Sequence, residues 1–206
     1  MKKYLTVLVD AIIAGICIAT GGIAFLSIEN PIVGALFFTL GLFIIVTRKY
    51  NLFTGKVCYV FENKPSYIID VIIIWIGNLI GTFLTGLAVK ATRIETICLR
   101  AEKMCQTKLD DSLISLFILA IFCNMLIFIA VDGFNKNEHT VGKYLGLFFC
   151  VAGFIVCGFE HCVADMFYFT VGSAWSVKTL VCLLVITAGN IVGGVLLPLA
   201  KKLRSQ

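Results

Sequence analysis

The chain has 206 residues, of which 60% are hydrophobic and only 14% are charged. A soluble domain is roughly 45–50% apolar and about 25% charged, so this composition excludes an ordinary soluble fold and indicates a polytopic helical membrane protein. The formal net charge of +5 is explained by the uneven distribution of Lys and Arg around the membrane and requires no nucleic-acid partner.

Six apolar segments are predicted to span the membrane, because each can supply the roughly 20 residues that a hydrocarbon core of about 30 Å requires. In chain order they are 5–28, 32–48, 67–89, 112–131, 144–171 and 177–199. The second and fifth are irregular, and each is predicted to be a broken helix. We find no linker and no soluble domain, so residues 1–206 are expected to form one transmembrane domain.

The interruption of the fifth segment is the most informative stretch of the chain. It reads Gly158-Phe159-Glu160-His161 and places a carboxylate and an imidazole inside apolar sequence. Titratable side chains at membrane depth are costly and usually face a cavity or a partner. Broken helices inside membrane proteins mark binding sites and pathways. The stretch therefore predicts a protein that passes a solute across the membrane.

The basic residues predict the orientation. Six spans place both termini on the same side, and that side carries eleven of the 17 Lys and Arg residues. The other six are Lys90, Arg93, Arg100, Lys103, Lys108 and Lys178, five of them in the loop at 90–111. The bias predicts cytoplasmic termini in a plasma membrane, the inner membrane in a bacterium. The nine cysteines form no framework of spacings and are expected to be free thiols.

An internal repeat relates the two halves of the chain. The third span carries Gly77-Asn78-Leu79-Ile80-Gly81, and the sixth carries Gly189-Asn190-Ile191-Val192-Gly193. Taken singly, the glycines are equally compatible with close helix packing alone. Together with the two broken middle helices, they predict two three-helix repeats, approximately 1–92 and 108–206. Three is odd, so the repeats are expected to be inverted with respect to each other.

The residues that carry these features resemble the formate/nitrite transporter family. The motifs occur in the family's order and cover nearly the whole chain. They are Leu52-Phe53-Thr54-Gly55, Cys123-Asn124, Gly158-Phe159-Glu160-His161-Cys162-Val163-Ala164-Asp165-Met166-Phe167 and Gly189-Asn190-Ile191-Val192-Gly193-Gly194. Lys108, sixteen residues before Asn124, matches the spacing of the family's vestibule lysine.

The resemblance implies a homopentamer of aquaporin-like protomers, each with its own pore. It implies passage of small monovalent weak-acid anions, such as formate, nitrite, hydrosulfide, acetate or lactate, by a protein that is not an enzyme and needs no cofactor or metal. Residue by residue, it implies apolar constrictions near the centre and the cytoplasm at Phe38, Leu42, Leu52 and Phe53. It implies an outer constriction at Ile127 and Phe154, a pathway site at Thr54 and His161, and an outer vestibule at Lys108 and Asn124. From their own positions inside apolar spans, Glu160, Asn78 and Asn190 are predicted to be structural polar groups, because such side chains need hydrogen-bond partners.

The chain departs from the family pattern at several positions. Asn51 replaces an acidic residue, Asp165 replaces an asparagine, and Arg48 and Lys49 stand where small residues are usual. Asp165 is expected either to pair with Lys49 or Arg48 or to line the pore, and we favour pairing because a carboxylate in the pore would oppose the entry of an anion. The chain also begins close to the first span, so Lys2 or Lys3 is the candidate replacement for an inner lysine of relatives. The physiological anion, the direction of transport and the gating mechanism stay open.

Proton-coupled passage is the mechanism we favour. Moving an anion into a low-dielectric interior costs of the order of 20 kcal/mol in an idealised estimate, whereas the neutral acid passes far more easily. Inside the predicted spans, His161 is the side chain whose charge changes near neutral pH, and the Thr54 hydroxyl both donates and accepts hydrogen bonds. Whether His161 relays the proton or only binds the anion stays open.

Three other classes of protein fit the sequence less well. An aquaporin-like channel for small neutral solutes is the alternative, but it would want two Asn-Pro-Ala turns, and the only Asn-Pro here is Asn30-Pro31. A metalloenzyme built on Glu160, His161 and Cys162 lacks further ligands, because the other histidine is in a loop. A scaffold protein leaves the two broken helices unexplained.

Overall fold

The computed structural model describes residues 2–204, and within this range the chain is helical, with no β-strand. The helices are α1 (Lys2–Ser27), α2 (Pro31–Arg48), α3 (Phe53–Lys56), α4 (Tyr67–Lys90), α5 (Glu95–Asp110), α6 (Leu113–Lys136), α7 (Thr140–Val156), α8 (Cys162–Val171) and α9 (Val177–Arg204). A 3₁₀ turn, Val57–Tyr59, extends α3.

Five of these helices, α1, α2, α4, α6 and α9, are long and apolar enough to cross a membrane. The predicted fifth span consists instead of two shorter apolar helices, α7 and α8, separated by residues 157–161. This confirms the predicted interruption at Glu160 and His161. The second predicted interruption is also confirmed, because α2 ends at Arg48 and α3 begins at Phe53.

The helix α5 is the main feature that the sequence analysis missed. The sequence predicts a charged loop at residues 90–111, but Glu95–Asp110 form an amphipathic helix. Its buried residues, Ile97, Ala101 and Cys105, recur every four positions, which is the spacing of one helical face. That spacing is the signal that was available in the sequence. The helix packs against α8 and carries Lys108 toward the interior.

The outer surface of the helices is apolar. Ile114 is 73% exposed, Phe149 is 70% exposed and Val177 is 82% exposed. Fully buried side chains include Phe38, Phe167, Leu116 and Leu183. Exposed apolar residues around a packed interior are expected when lipid, not water, surrounds the protein. All nine cysteines are free, as predicted.

The two halves of the chain use matching close contacts. The helices α1 and α4 pack together, and so do α6 and α9. A Cβ atom on Gly77 would lie 2.5 Å from the Ala11 Cβ, and one on Gly189 would lie 2.7 Å from the Ala120 Cβ. These helices therefore approach at distances that only glycine allows.

The two breaks also have the same backbone geometry. Lys49 follows α2 with φ of 61°, and Gly158 follows α7 with φ of 68°. In both breaks the amide of the following residue donates a hydrogen bond to the carbonyl five residues earlier. Tyr50 N–H donates to the Ile45 carbonyl at 3.0 Å, and Phe159 N–H donates to the Phe154 carbonyl at 2.9 Å. Each helix therefore ends in a left-handed residue, a common way to stop a helix.

The first and last described segments of the chain, near Lys3 and Lys201, lie at one face of the helical bundle, which we call the terminal face. Lys3 near the N-terminus pairs with Asp70 in the first turn of α4 at 2.8 Å. Near the C-terminus, Lys201 lines a surface pocket with Phe61 and Glu62, just before the start of α4. The opposite face carries α5 and is called the α5 face. Lys3 lines neither of the two cavities described below.

Substituting Gly193 is expected to separate α9 from α6. A Cβ at residue 193 would collide with the Ile121 backbone carbonyl. Backbone cannot give way as a flexible side chain does, so Gly193→Ala should destabilise the fold by about 1–3 kcal/mol. The measurement is the thermal unfolding midpoint of the purified protein. The matched control is Gly146→Ala in α7, where the added methyl group meets no atom within 4 Å; equal midpoints for the two variants would contradict the tight contact.

Candidate functional site

Two buried asparagines hold the broken helices in place. The Asn78 Oδ1 accepts a hydrogen bond from the Phe53 amide at 2.8 Å, and its Nδ2 donates to the Ala11 and Asn51 carbonyls at 2.8 and 3.0 Å. Asn78 thus binds two backbone groups at the first break: the amide of Phe53, which opens α3, and the carbonyl of Asn51, two residues earlier. A buried backbone group without a partner is costly in a membrane, so Asn78 stabilises the interrupted chain.

Asn190 makes the corresponding contacts in the second half. Its Oδ1 accepts from the Cys162 amide at 2.9 Å, and its Nδ2 donates to the Ala120 and Glu160 carbonyls at 2.8 and 2.9 Å. The positions bound by Asn190 match those bound by Asn78, since Cys162 opens α8 as Phe53 opens α3. Both side chains are fully buried.

His161 is the N-cap residue of α8. Its Nδ1 accepts a hydrogen bond from the Ala164 amide at 3.1 Å. An imidazole nitrogen that accepts has no hydrogen, so in the neutral ring the hydrogen is on Nε2. The capping bond therefore fixes the tautomer and the direction in which Nε2 points.

The Nε2 atom of His161 lies 3.0 Å from the Thr54 hydroxyl. Thr54 belongs to α3 and His161 to the second break, so this contact joins the two halves of the chain at the centre of the molecule. Both side chains are buried. Aromatic rings cover the imidazole: Phe154 stacks on it with a centroid distance of 5.7 Å, and Phe38 packs edge-on against Phe154 at 5.9 Å.

A cavity of about 220 Å³ reaches this centre from the α5 face. Its walls include Phe38, Phe154, His161 and the Lys108 cluster described next. Phe25, Met104 and Phe159 contribute apolar surface. The cavity therefore leads from charged groups to the aromatic rings of Phe38 and Phe154 beside the imidazole.

Lys108, at the end of α5, bridges two carboxylates within this cavity. Its Nζ forms a short ion pair with the Glu160 Oε2 and a second ion pair with the Asp165 Oδ1 at 3.0 Å. Burial lowers the pKa of Lys108, but the Asp165 and Glu160 carboxylates more than reverse this effect, and the pKa is raised overall. The ammonium group therefore stays charged.

Asp165 has a different partner from the one that the sequence suggested. The expected pairing with Lys49 or Arg48 is wrong, because Asp165 is held by Lys108 and lines the cavity on the α5 face. The missed helix α5 is the reason, since it brings Lys108 over α8. The second oxygen of Asp165, Oδ2, is buried without a hydrogen-bond partner among residues 2–204.

A second cavity, of about 450 Å³, reaches the centre from the terminal face. Leu42 and Leu52 lie at its apolar end, and Lys49 and Lys56 lie in its wall with Tyr50, Tyr59 and Tyr67. Phe38 borders the first cavity and Leu42, one helical turn later on α2, borders the second. The two cavities therefore approach each other at the position of Phe38, Leu42, Leu52 and His161. The sequence analysis did not assign Lys56.

Four of the predicted pathway and constriction residues line neither cavity. Thr54 is one of them, and it is reached only through its contact with His161; the others are Phe53, Ile127 and Asn124. Phe53 lines an apolar groove with Trp75 and Ile191, on another side of α3. Ile127 is buried in α6 without lining either cavity. Asn124 donates from Nδ2 to the Asn190 carbonyl at 2.6 Å, while its Oδ1 is buried and has no partner among residues 2–204. The structure does not bring Asn124 to the cavity that holds Lys108.

An all-helical fold with apolar outer surfaces, two opposed cavities and a polar contact between them defines a membrane-embedded channel or transporter. The sequence model of the formate/nitrite transporter family matches residues 1–201. The chain belongs to the formate/nitrite transporter family.

Individual relatives agree with this assignment. The chain is 30% identical to the probable formate transporter of Methanothermobacter thermautotrophicus, over 86% of this chain and 77% of that protein. It is 25% identical to the nitrite transporter NirC of Salmonella typhimurium, over 91% and 78%. Among solved structures, a pentameric formate channel with formate bound superposes with a TM-score of 0.87 at 26% identity, covering 99% of this chain and 98% of that one.

Proposed function

We propose that this protein is a channel for small monovalent weak-acid anions, with proton-linked passage at His161. The observation that carries the proposal is the hydrogen bond of 3.0 Å between His161 and Thr54, at the point where the two cavities approach each other. The similarity to a formate transporter and a nitrite transporter supports the class of solute. Formate, nitrite, hydrosulfide and short-chain carboxylates all fit this class.

The geometry supports a role for the neutral imidazole as a hydrogen-bond donor. With Nδ1 occupied by the Ala164 amide, the Nε2–H group is the one free to donate, either to Thr54 or to an anion that displaces it. A donor at the start of a helix also lies where the helix dipole favours negative charge. The anion can be held there while a proton arrives from water in the cavity.

Passage then occurs as the neutral acid. Desolvation beside Phe38 and Phe154 disfavours the charged form of the solute, so protonation removes the main barrier to crossing the aromatic constriction. On the other side the acid loses its proton to water and leaves as the anion. His161 is neutral before and after each passage, and Thr54 takes up its hydrogen bond again.

The proposal includes the assembly and orientation of the protein. We infer two inverted three-helix repeats, since the contacts of Asn78 and Asn190 match one by one. A homopentamer is supported by the pentameric structure that the chain resembles. The bias of Lys and Arg supports cytoplasmic termini in a plasma membrane, the inner membrane in a bacterium, with lipid around the assembly.

The test is flux into liposomes that contain the purified protein. Formate, nitrite, hydrosulfide, acetate and lactate are compared at two external pH values, with glycerol as a neutral solute. We expect flux of at least one anion that rises as the external pH falls, because more of the solute is then protonated. Glycerol flux without anion flux would instead support the aquaporin-like alternative. If the protein is intact but passes neither an anion nor glycerol, it would share the fold of the family but not the proposed function.

A further inference from the structure

The cluster of Lys108, Glu160 and Asp165 has an unbalanced negative charge if all three groups are ionised. Within residues 2–204, Lys108 is the only cation that forms an ion pair with either carboxyl group. The three side chains are 11%, 6% and 1% exposed. A charge without a counter-charge is costly at such depth, and two carboxyl groups that share one site retain a proton between them. With one carboxyl group protonated, the cluster is neutral.

Asp165 is the carboxyl group better placed to hold this proton. Glu160 makes the shorter ion pair with Lys108, whereas the Asp165 Oδ1 lies 3.0 Å from Nζ. Asp165 is also the more deeply buried of the two, and its Oδ2 has no hydrogen-bond partner among the described residues. A buried carboxylate oxygen without a partner is unfavourable. A protonated Oδ2 is instead a hydrogen-bond donor whose partner can be the solute.

The other titratable groups around the cluster do not supply the missing positive charge. Those on α5, α6, α8 and α9 are thiols and a phenol, which are neutral at neutral pH: Cys105, Cys123, Cys162, Tyr168 and Cys182. The helices α1 and α4 meet α8 at Gly22 and Gly86. At the surface, Glu102 and Lys178 are exposed and opposite in charge, and water screens both.

Asp165 lies close to the proposed anion position. Asp165 and His161 line the same cavity, and the Asp165 amide donates to the His161 carbonyl at 2.9 Å, one helical turn away. The capping bond keeps His161 neutral with its hydrogen on Nε2, so the imidazole can bind an anion without giving up a proton. The family pattern has asparagine at position 165. An amide donates a hydrogen bond but releases no proton, whereas a carboxyl group does both.

We propose that Asp165 is a proton-donating site, which holds a proton on Oδ2 and passes it to an anion that enters from the α5 face. The inference rests on the proposed function and adds the group from which the proton comes. In the transfer to formate, the Oδ2–H bond of Asp165 breaks and an O–H bond forms on the solute, which leaves formic acid and the Asp165 carboxylate. A hydronium ion from water at the α5 face then protonates Asp165 again, so one proton crosses with each anion.

Infrared spectroscopy of the purified protein tests for the proton directly. We expect a carboxylic-acid C=O band at neutral pH, where exposed carboxyl groups are ionised. The band should be lost in Asp165→Asn and should move to lower frequency when the aspartate carboxyl carbons are ¹³C. The matched control is Asp132→Asn, which should keep the band, because Asp132 is paired with Lys136 and bound by the Tyr59 hydroxyl. Absence of the band, or a band that aspartate labelling leaves in place, would overturn the inference.

The pH profile of flux separates a proton donor from a residue that only supports the fold. Initial rates of formate uptake into liposomes are compared for wild type and Asp165→Asn from acidic to neutral external pH. The variant can pass only acid that is already protonated in water, so its rate should fall by about tenfold per pH unit, and the wild-type rate should fall less steeply. At neutral pH the variant should be slower by at least about tenfold, because a positioned proton donor typically contributes about 10²–10⁴-fold. Parallel pH profiles would contradict proton donation by Asp165.

The infrared band also separates failure of this inference from failure of the proposed function. If the protein passes no anion, an aspartate band that shifts when formate is added would support the proton site, and the channel function would be the part that fails. In such a protein, a band that does not respond to formate would overturn the inference.

Discussion

Replacing His161 with alanine is expected to reduce anion flux by about ten- to a hundredfold. The substitution removes the Nε2–H donor that lies 3.0 Å from Thr54, and a hydrogen bond to a charged group is worth about 1.5–3 kcal/mol. The anion would then meet the aromatic rings of Phe38 and Phe154 without a donor beside them. The measurement is the initial rate of formate or nitrite flux into liposomes at two pH values.

A second variant separates transport from folding, because His161 also caps α8. His161→Asn retains a side chain that is well suited to the N-cap position but is too short to reach Thr54. We expect it to assemble and unfold as the wild type does, and to lose flux as His161→Ala does. Wild-type flux with a wild-type pH profile in His161→Asn would rule out a central role for the imidazole.

Replacing Lys108 alone is expected to have the largest effect on stability. Lys108→Met leaves the Glu160 and Asp165 carboxylates buried without their counter-charge; their side chains are 6% and 1% exposed. Removing one partner of a buried ion pair typically costs about 3–5 kcal/mol. Thermal unfolding of the purified protein, monitored together with its oligomeric state, measures the loss.

The matched variant removes all three charges at once. Combining Lys108→Met with Glu160→Gln and Asp165→Asn leaves no uncompensated carboxylate, and a buried amide without a partner costs less than a buried carboxylate without its counter-charge. We expect the triple variant to unfold at a clearly higher temperature than Lys108→Met. If both variants unfold at the same temperature, the loss comes from packing of the lysine side chain and not from its charge.

The sequence was sufficient for the features that depend on hydrophobic periodicity and on residues with special backbone properties. The breaks after Arg48 and at Gly158 were predictable because glycine and polar residues interrupt apolar segments there. The roles of Asn78 and Asn190 as polar groups that stabilise the interior followed from their position in apolar helices. Their hydrogen bonds to α3 and α8 required the structure, since the partners are distant in the chain.

The details that the sequence did not provide depend on contacts between distant segments. The partner of Asp165 could not be predicted without α5. The sequence of that helix is rich in charged and polar residues, as a loop is, and unlike a membrane span. The distinction between Leu52, which lines a cavity, and Phe53, which points to another side of α3, depends on the exact turn at the break. For the same reason, Lys56 was recognised as a cavity residue only in three dimensions.

The matched contacts of Asn78 and Asn190 have an evolutionary consequence. Each asparagine binds backbone atoms only, so the side chains in the two breaks can change without loss of the bonds that hold the chain. Matched positions carry different side chains: Leu52 corresponds to His161, and Lys56 to Asp165. A framework of this kind lets selection alter the side chains at one break while the other break is left as it was.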